Sequence, residues 1–129
     1  MAASVLLFLV SLPLDAFYID RAADPCAWSL GFGLLLVGWI AALDGVPAWL
    51  ANPALLAAWI SLLIGFRRTA VVSAALALLL ALSFLLCQQV LTSEAGHYSR
   101  VSGYGYGYWF WVSSMAAAFL GSVVNLKAR

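Results

Sequence analysis

Thr69-Ala-Val-Val-Ser-Ala-Ala-Leu-Ala-Leu-Leu-Leu-Ala-Leu-Ser-Phe-Leu-Leu-Cys-Gln-Gln-Val-Leu91 carries no charge and follows directly on Arg67-Arg68. A helix needs about 20 mainly apolar residues to cross the hydrocarbon of a bilayer, and this stretch supplies them. Composition extends the reading to the whole chain. Of its 129 residues 66% are hydrophobic and 9% charged, against roughly half and a quarter in soluble domains. A water-soluble core has no use for that much apolar surface. The expected fold is therefore all-α, a polytopic transmembrane helical bundle forming a single domain over residues 1–129. It has four clear spans and a weaker N-terminal hydrophobic helix, five in total.

Working outward, a span over 104–126 is followed at once by Lys127 and Arg129. On the other side, the segment 47–66 opens with Pro47 and contains Asn52-Pro53, a pair that reads as N-cap and first helical residue. A helix from Pro53 would be only about 21 Å long, so a stepped or proline-kinked entry from Pro47 is expected. The segment 26–43 is free of charge, has Trp28 and Trp39 towards its ends, and closes in the turn Asp44-Gly-Val-Pro47. The first segment, 2–19, is interrupted by Pro13 and Asp15. It lacks the positive stretch of a secretory signal and the small or aliphatic residues that a lipoprotein site needs before Cys26. Asp20-Arg-Ala-Ala-Asp-Pro25 is a polar linker.

Short loops rich in Lys and Arg stay cytoplasmic. Arg67-Arg68 and Lys127/Arg129, two spans apart, agree with each other and are expected inside. The loop 92–103 and residues 44–52 are then outside. If all five segments cross, residues 20–25 lie inside and the N-terminus outside. Cys26 and Cys87 would face opposite surfaces, too far apart for a disulfide.

In lipid, small residues let helix backbones approach. Ser114, Ala118, Gly121, Ser122 and Asn125 share one helical face, as do Ser73, Ala77 and Ala81 with Gln88 beyond them. These faces are expected to pack as an antiparallel pair, with a homo-oligomer interface as the other use of such a stripe.

The net charge of +1 and the scattering of six basic residues exclude a nucleic-acid footprint. No Cys/His spacing suits a metal, Asp15, Asp20, Asp24 and Asp44 match no calcium loop, and no cofactor motif occurs. No ionisable residue falls mid-span in 26–43, 69–91 or 104–126, where ion-coupled transporters and proton relays place them.

Polar chemistry concentrates in the loop before the last span. Glu94, His97 and Arg100 recur every third residue and would share one side of a helical turn, with Ser93, Tyr98 and Ser99 nearby; they form the candidate polar or partner site. Val101-Ser-Gly-Tyr-Gly105 echoes a potassium-channel filter, but no pore helix precedes it. The simpler account is an aromatic rim in the headgroup layer, built from Trp39, Trp49, Tyr104, Tyr106, Tyr108, Trp109 and Trp111. Trp49-Leu-Ala-Asn-Pro53 and Gly103-Tyr-Gly-Tyr-Gly-Tyr-Trp-Phe-Trp111 resemble features of small, uncharacterised bacterial integral membrane proteins. That resemblance implies an inner-membrane location and transfers no catalytic residue. The functional expectation is a non-enzymatic, lipid-embedded protein that acts through helix–helix or outer-surface contacts with a membrane partner or itself. The alternatives are a small channel or transporter subunit, with a path lined by Ser, Asn52 and Gln88, and a lipid-handling enzyme using the 92–103 loop.

Overall fold

The computed structural model describes residues 1–19, 31–91 and 98–128. The protein is mostly helical. Helix α1 spans Ala2–Ser11, strand β1 Phe17–Ile19, α2 Gly31–Val37 and α3 Trp39–Leu43. A 3-10 turn over Pro47–Leu50 runs straight into α4, Ala51–Leu63. Helix α5 covers Arg67–Ser83 and tightens into a 3-10 turn at Phe84–Leu86, strands β2 and β3 cover Gln89–Leu91 and Tyr98–Tyr104, and α6 covers Tyr106–Lys127.

Two of these helices are long and apolar enough to cross a membrane: Arg67–Leu86 with 20 residues and Tyr106–Lys127 with 22, about 30 Å or more each. The apolar helices Ala2–Ser11 and Pro47–Leu63 are shorter. The expected step at residues 47–51 takes the form of the 3-10 lead-in, which accommodates Pro47 and leaves Asn52 inside the helix rather than at its cap.

The bounds of two expected segments differ from the helices found, for local reasons. The 69–91 stretch leaves the helix at Leu86, because Gln89–Leu91 pair with Tyr98–Arg100 as an antiparallel ladder. The 2–19 stretch ends its helix at Ser11, two residues before Pro13, and Phe17–Ile19 join the same sheet by pairing with β3. The sheet order is β1-β3-β2. Alternation in 98–104 is masked in the sequence by Gly103 and by the run of aromatics after it, so an all-α reading misses the sheet. From Gly31 onward, the 26–43 stretch is two short helices broken at Gly38.

Four helices form a closed bundle in which α6 lies between α1 and α5, α5 between α6 and α4, and α4 returns to α1. The interior is made of small side chains. Ala70, Ala74, Ala77 and Ala81 of α5 are fully buried, as are Ser114, Met115, Ala118 and Ser122 of α6 and Ala51, Leu55 and Ala58 of α4. The buried face of α5 thus includes the expected Ala77 and Ala81 but is rotated onto Ala70 and Ala74, leaving Ser73 half-buried. Ser4 joins three helices: its Oγ donates to the Ser114 carbonyl at 2.7 Å and accepts from Trp59 Nε1 at 3.0 Å. The Ser114 side of α6 therefore packs on α1, while Ala118 joins α4 and α5 in the alanine core.

The ends of the bundle are chemically distinct. At one end, Arg67 donates to the Asn125 carbonyl at 2.8 Å, which brings the start of α5 to the end of α6. At the other lie the sheet and the α3–α4 turn, joined by the hydrogen bond from Tyr98 Oη to Asp44 Oδ2. Helix α1 runs from the Arg67 end, where Met1 approaches Gly121, to the sheet end, where Ile19 pairs with Val101. Gly31 also sits there, its N–H donating to Leu14 at 3.0 Å. Both flanks of residues 20–30 are thus at the sheet end, contrary to the alternation that five crossings require. Residues 20–25 themselves, like Cys26, lie outside the described residues. Short helix-to-helix turns use left-handed glycines: Gly45 (φ 90°) and Gly65 (φ 85°) let the N–H of Val46 and Phe66 reach back to the Ala41 and Ser61 carbonyls, the hydrogen-bonded stop that glycine favours.

Candidate functional site

The Gly-Tyr repeat acquires a specific structural role at the sheet end. Gly105 N–H donates to Ala16 and Gly107 N–H to Asp15, both at 3.0 Å, so the segment between α1 and β1 crosses directly over the start of α6. A Cβ on Gly107 would lie 2.6 Å from the Leu14 carbonyl oxygen, and one on Gly105 would collide with the Asp15 carbonyl. The glycines are where backbone meets backbone, and the tyrosines between them divide. Tyr104 and Tyr108 turn inward, while Tyr106 is 77% exposed.

Tyr108 is therefore a core residue and not a member of a rim. It is fully buried, donates through Oη to the Ala81 carbonyl at 3.0 Å, and stacks with Tyr104 at a centroid distance of 4.9 Å. Tyr104 donates to Phe84 at 3.3 Å. With Phe17 they form a second apolar cluster beneath the sheet. The Ala81 and Phe84 carbonyls stand where α5 tightens into its 3-10 turn and already accept the N–H groups of Phe84 and Cys87, so each phenol adds a second donor there. The other predicted rim residues are dispersed. Trp39 and Trp109 are about half exposed, Trp49 is half-buried with its indole donating to Leu35 at 3.1 Å, and Trp111 is half-buried with its indole donating to Asn52 Oδ1 at 2.8 Å.

The predicted polar triad is only partly visible. Glu94 and His97 lie outside the described residues. Arg100 is exposed on β3, paired in register with Gln89. On the packing face, Ser114, Ala118 and Ser122 are buried, Gly121 is half-buried beside Met1, and Asn125 is exposed with its amide donating to the Gly121 carbonyl.

Sequence reasoning did not anticipate a cavity of about 140 Å³ on the inner side of the sheet end, between the bundle and the α2–α3 arm. Aromatic rings dominate its wall: Phe8, Phe17, Phe84, Tyr108, Trp49 and Trp111. Asn52 and Ser11 are among its polar members. Most polar hydrogens here are already engaged. Ser11 Oγ donates to Phe8 at 2.6 Å, and both indoles and the Tyr108 phenol are bonded as described. The Asn-Pro pair in a helix start was the visible signal, but a cap reading absorbed it. Only the tertiary partner Trp111 reveals Asn52 as a fixed polar group.

No protein-family model matches the chain, nor does any curated protein or solved structure.

Proposed function

We propose that this chain is a multi-pass protein of a bacterial inner membrane that works without catalysis, through contacts made by the surface at its sheet end. The observation that carries the membrane location is the distribution of side-chain size. Small residues fill the interior, whereas Val72, Leu76, Leu79, Leu120 and Val124 are each more than half exposed on α5 and α6. Water would penalise that outer face, at about 25 cal/mol per Å² of apolar surface left uncovered, and hydrocarbon would not. Lipid also explains the interior, since close backbone approach over Ala and Ser is how helices associate without a hydrophobic drive.

In this reading α4, α5 and α6 cross, with Arg67, Arg68 and Lys127 on the cytoplasmic side and the sheet outside. Helix α1, about 15 Å long, enters from the cytoplasmic side and reaches the outer layer through β1. The small-residue faces are consumed inside the monomer, so contacts with a partner fall to the exposed sheet end, where Leu43 is 79%, Leu86 85% and Tyr106 77% exposed. The polar groups there support a non-catalytic role, because Asp44, Asn52, Tyr104 and Tyr108 are each engaged in holding elements together.

Site-specific photo-crosslinking in intact membranes tests this reading. A crosslinker at position 106 is expected to give an adduct of one discrete mass, and one at the lipid-facing position 72 none. Lipid adducts alone at both positions would end the contact hypothesis. Release of the protein by alkaline carbonate would end the membrane one.

A further inference from the structure

We infer that the aromatic cavity at the sheet end is a binding site for a neutral, ring-sized carbonyl compound, the chemical class to which lipid-soluble quinone head groups and aromatic ketones belong. Size comes first. A cavity of about 140 Å³ is close to the roughly 150 Å³ at which an apolar protein cavity stays dry and takes up benzene, so it accommodates one six-membered ring. Its wall then selects for an aromatic guest, because Phe17, Phe84, Tyr108 and Trp111 are among the lining residues and ring–ring contacts are favourable.

Charge and hydrogen bonding narrow the class further. Among the described lining residues there is no Asp, Glu, Lys, Arg or His, and an ion in such a site would lose its hydration without compensation. The occupant is neutral. Asn52 then selects for an acceptor. The Trp111 indole can only donate, so it fixes the Asn52 carboxamide with Oδ1 towards the indole. The Nδ2 group, which carries two protons, has no partner among the described residues. By contrast, the hydroxyl and indole protons of Ser11, Tyr108, Trp49 and Trp111 are already donated. Asn52 thus brings to a largely apolar lining an amide group without a partner among the described residues. A hydrocarbon chain end would leave that donor unsatisfied, whereas an alcohol or amine would bring a proton that needs the second lone pair of Asn52 Oδ1, which already accepts from Trp111. A carbonyl oxygen on a ring satisfies the donor and brings no proton.

The class of ligand draws on the membrane location proposed above only for its source, since the bilayer is where such compounds dissolve. Binding itself is measured on the solubilised full chain, so the two ideas fail separately. The probes are para-fluoroacetophenone and para-fluoroethylbenzene, matched in ring and size and differing in the carbonyl, followed by fluorine NMR in detergent. The expected result is a bound signal for the ketone, distinct from its micelle signal and saturating at one per chain, with roughly tenfold weaker binding of the ethyl compound, the effect of one net hydrogen bond. Asn52→Leu is expected to bring the two probes to equal affinity. Ala41→Leu fills the cavity from α3 without touching the Asn52–Trp111 bond and is expected to abolish binding of both, which keeps the test meaningful should Asn52→Leu fail to fold. Absence of a bound signal for either probe in the wild type, equal affinity of the two, or binding unchanged by Ala41→Leu would each overturn the assignment.

Discussion

At the scale of single residues, two positions hold this protein together through contacts that their own neighbours in sequence do not hint at. Gly107 allows the segment leading into β1 to lie on the first turn of α6, with the Leu14 carbonyl 2.6 Å from where a Cβ would be. Gly107→Ala is expected to lower stability by about 1–3 kcal/mol through forced displacement, read as a drop in unfolding midpoint in detergent. Tyr106→Phe, one residue away and 77% exposed, should stay within about 0.5 kcal/mol of wild type. Trp111 is the second position. Trp111→Phe strips Asn52 Oδ1 of its donor and should cost about 1–3 kcal/mol. Adding Asn52→Leu should recover part of that loss, because the orphaned polar group is gone. Strictly additive losses in the double mutant would show that the pair is not coupled.

At the scale of elements, α1 is held less by its own length than by Ser4, which donates to α6 and accepts from Trp59 of α4. Ser4→Ala leaves the Trp59 indole without its acceptor, and between membrane helices, the setting proposed above, such bonds average about 0.6 kcal/mol and reach about 1.7. A loss in that range, with α5 and α6 still protected in hydrogen exchange while α1 opens, is the expected result. The sheet is joined to the α3–α4 turn by Tyr98 and Asp44. The hydrogen bond to Asp44 raises the Tyr98 pKa above its usual value, with burial and the Asp44 charge acting in the same direction. A phenol whose folded-state pKa is raised stabilises the fold below its unfolded pKa, near 10, and that contribution is lost as pH rises through the folded value. In ultraviolet titration the Tyr98 phenol, identified by its loss in Tyr98→Phe, is expected to ionise above the ordinary tyrosine range. Asp44→Asn should bring it back towards the ordinary range, and an unchanged curve would refute the link.

At the scale of the whole molecule, the membrane arrangement proposed above predicts which ends share a side. Helix α1 starts at the end that carries Arg67 and Lys127, and both flanks of residues 20–30 sit at the sheet end. In a background lacking Cys26 and Cys87, single cysteines at Ala3 and Lys127 should label with an impermeant maleimide from the same side, and one at Asp44 from the other. Labelling of Ala3 and Lys127 from opposite sides would restore five crossings and contradict the bundle. The difference between the two topologies comes from 26–43, whose lack of charge suggests a span. The structure breaks it at Gly38, where the chain approaches the Trp49 ring, and keeps it beside the sheet end.

What the sequence alone determined is whatever depends on average polarity and helical period. This covers the helical class, the long apolar helices after Arg67 and Tyr104, the stepped start at Pro47, and small residues that are buried, Ala77, Ala81, Ser114, Ala118 and Ser122, but not which helix each of them faces. Those properties are legible because burial against a neighbour acts on each residue through its own size and polarity. Only tertiary structure decided the sheet, the inward turn of Tyr108, the direction of α1 and the cavity around Asn52. Each of these depends on contact between residues far apart in the chain, such as Phe17 with Tyr104 or Asn52 with Trp111. A hydrogen bond or close backbone approach leaves no periodic mark in sequence, and glycine looks the same whether it loosens a loop or, as at Gly105 and Gly107, admits another strand.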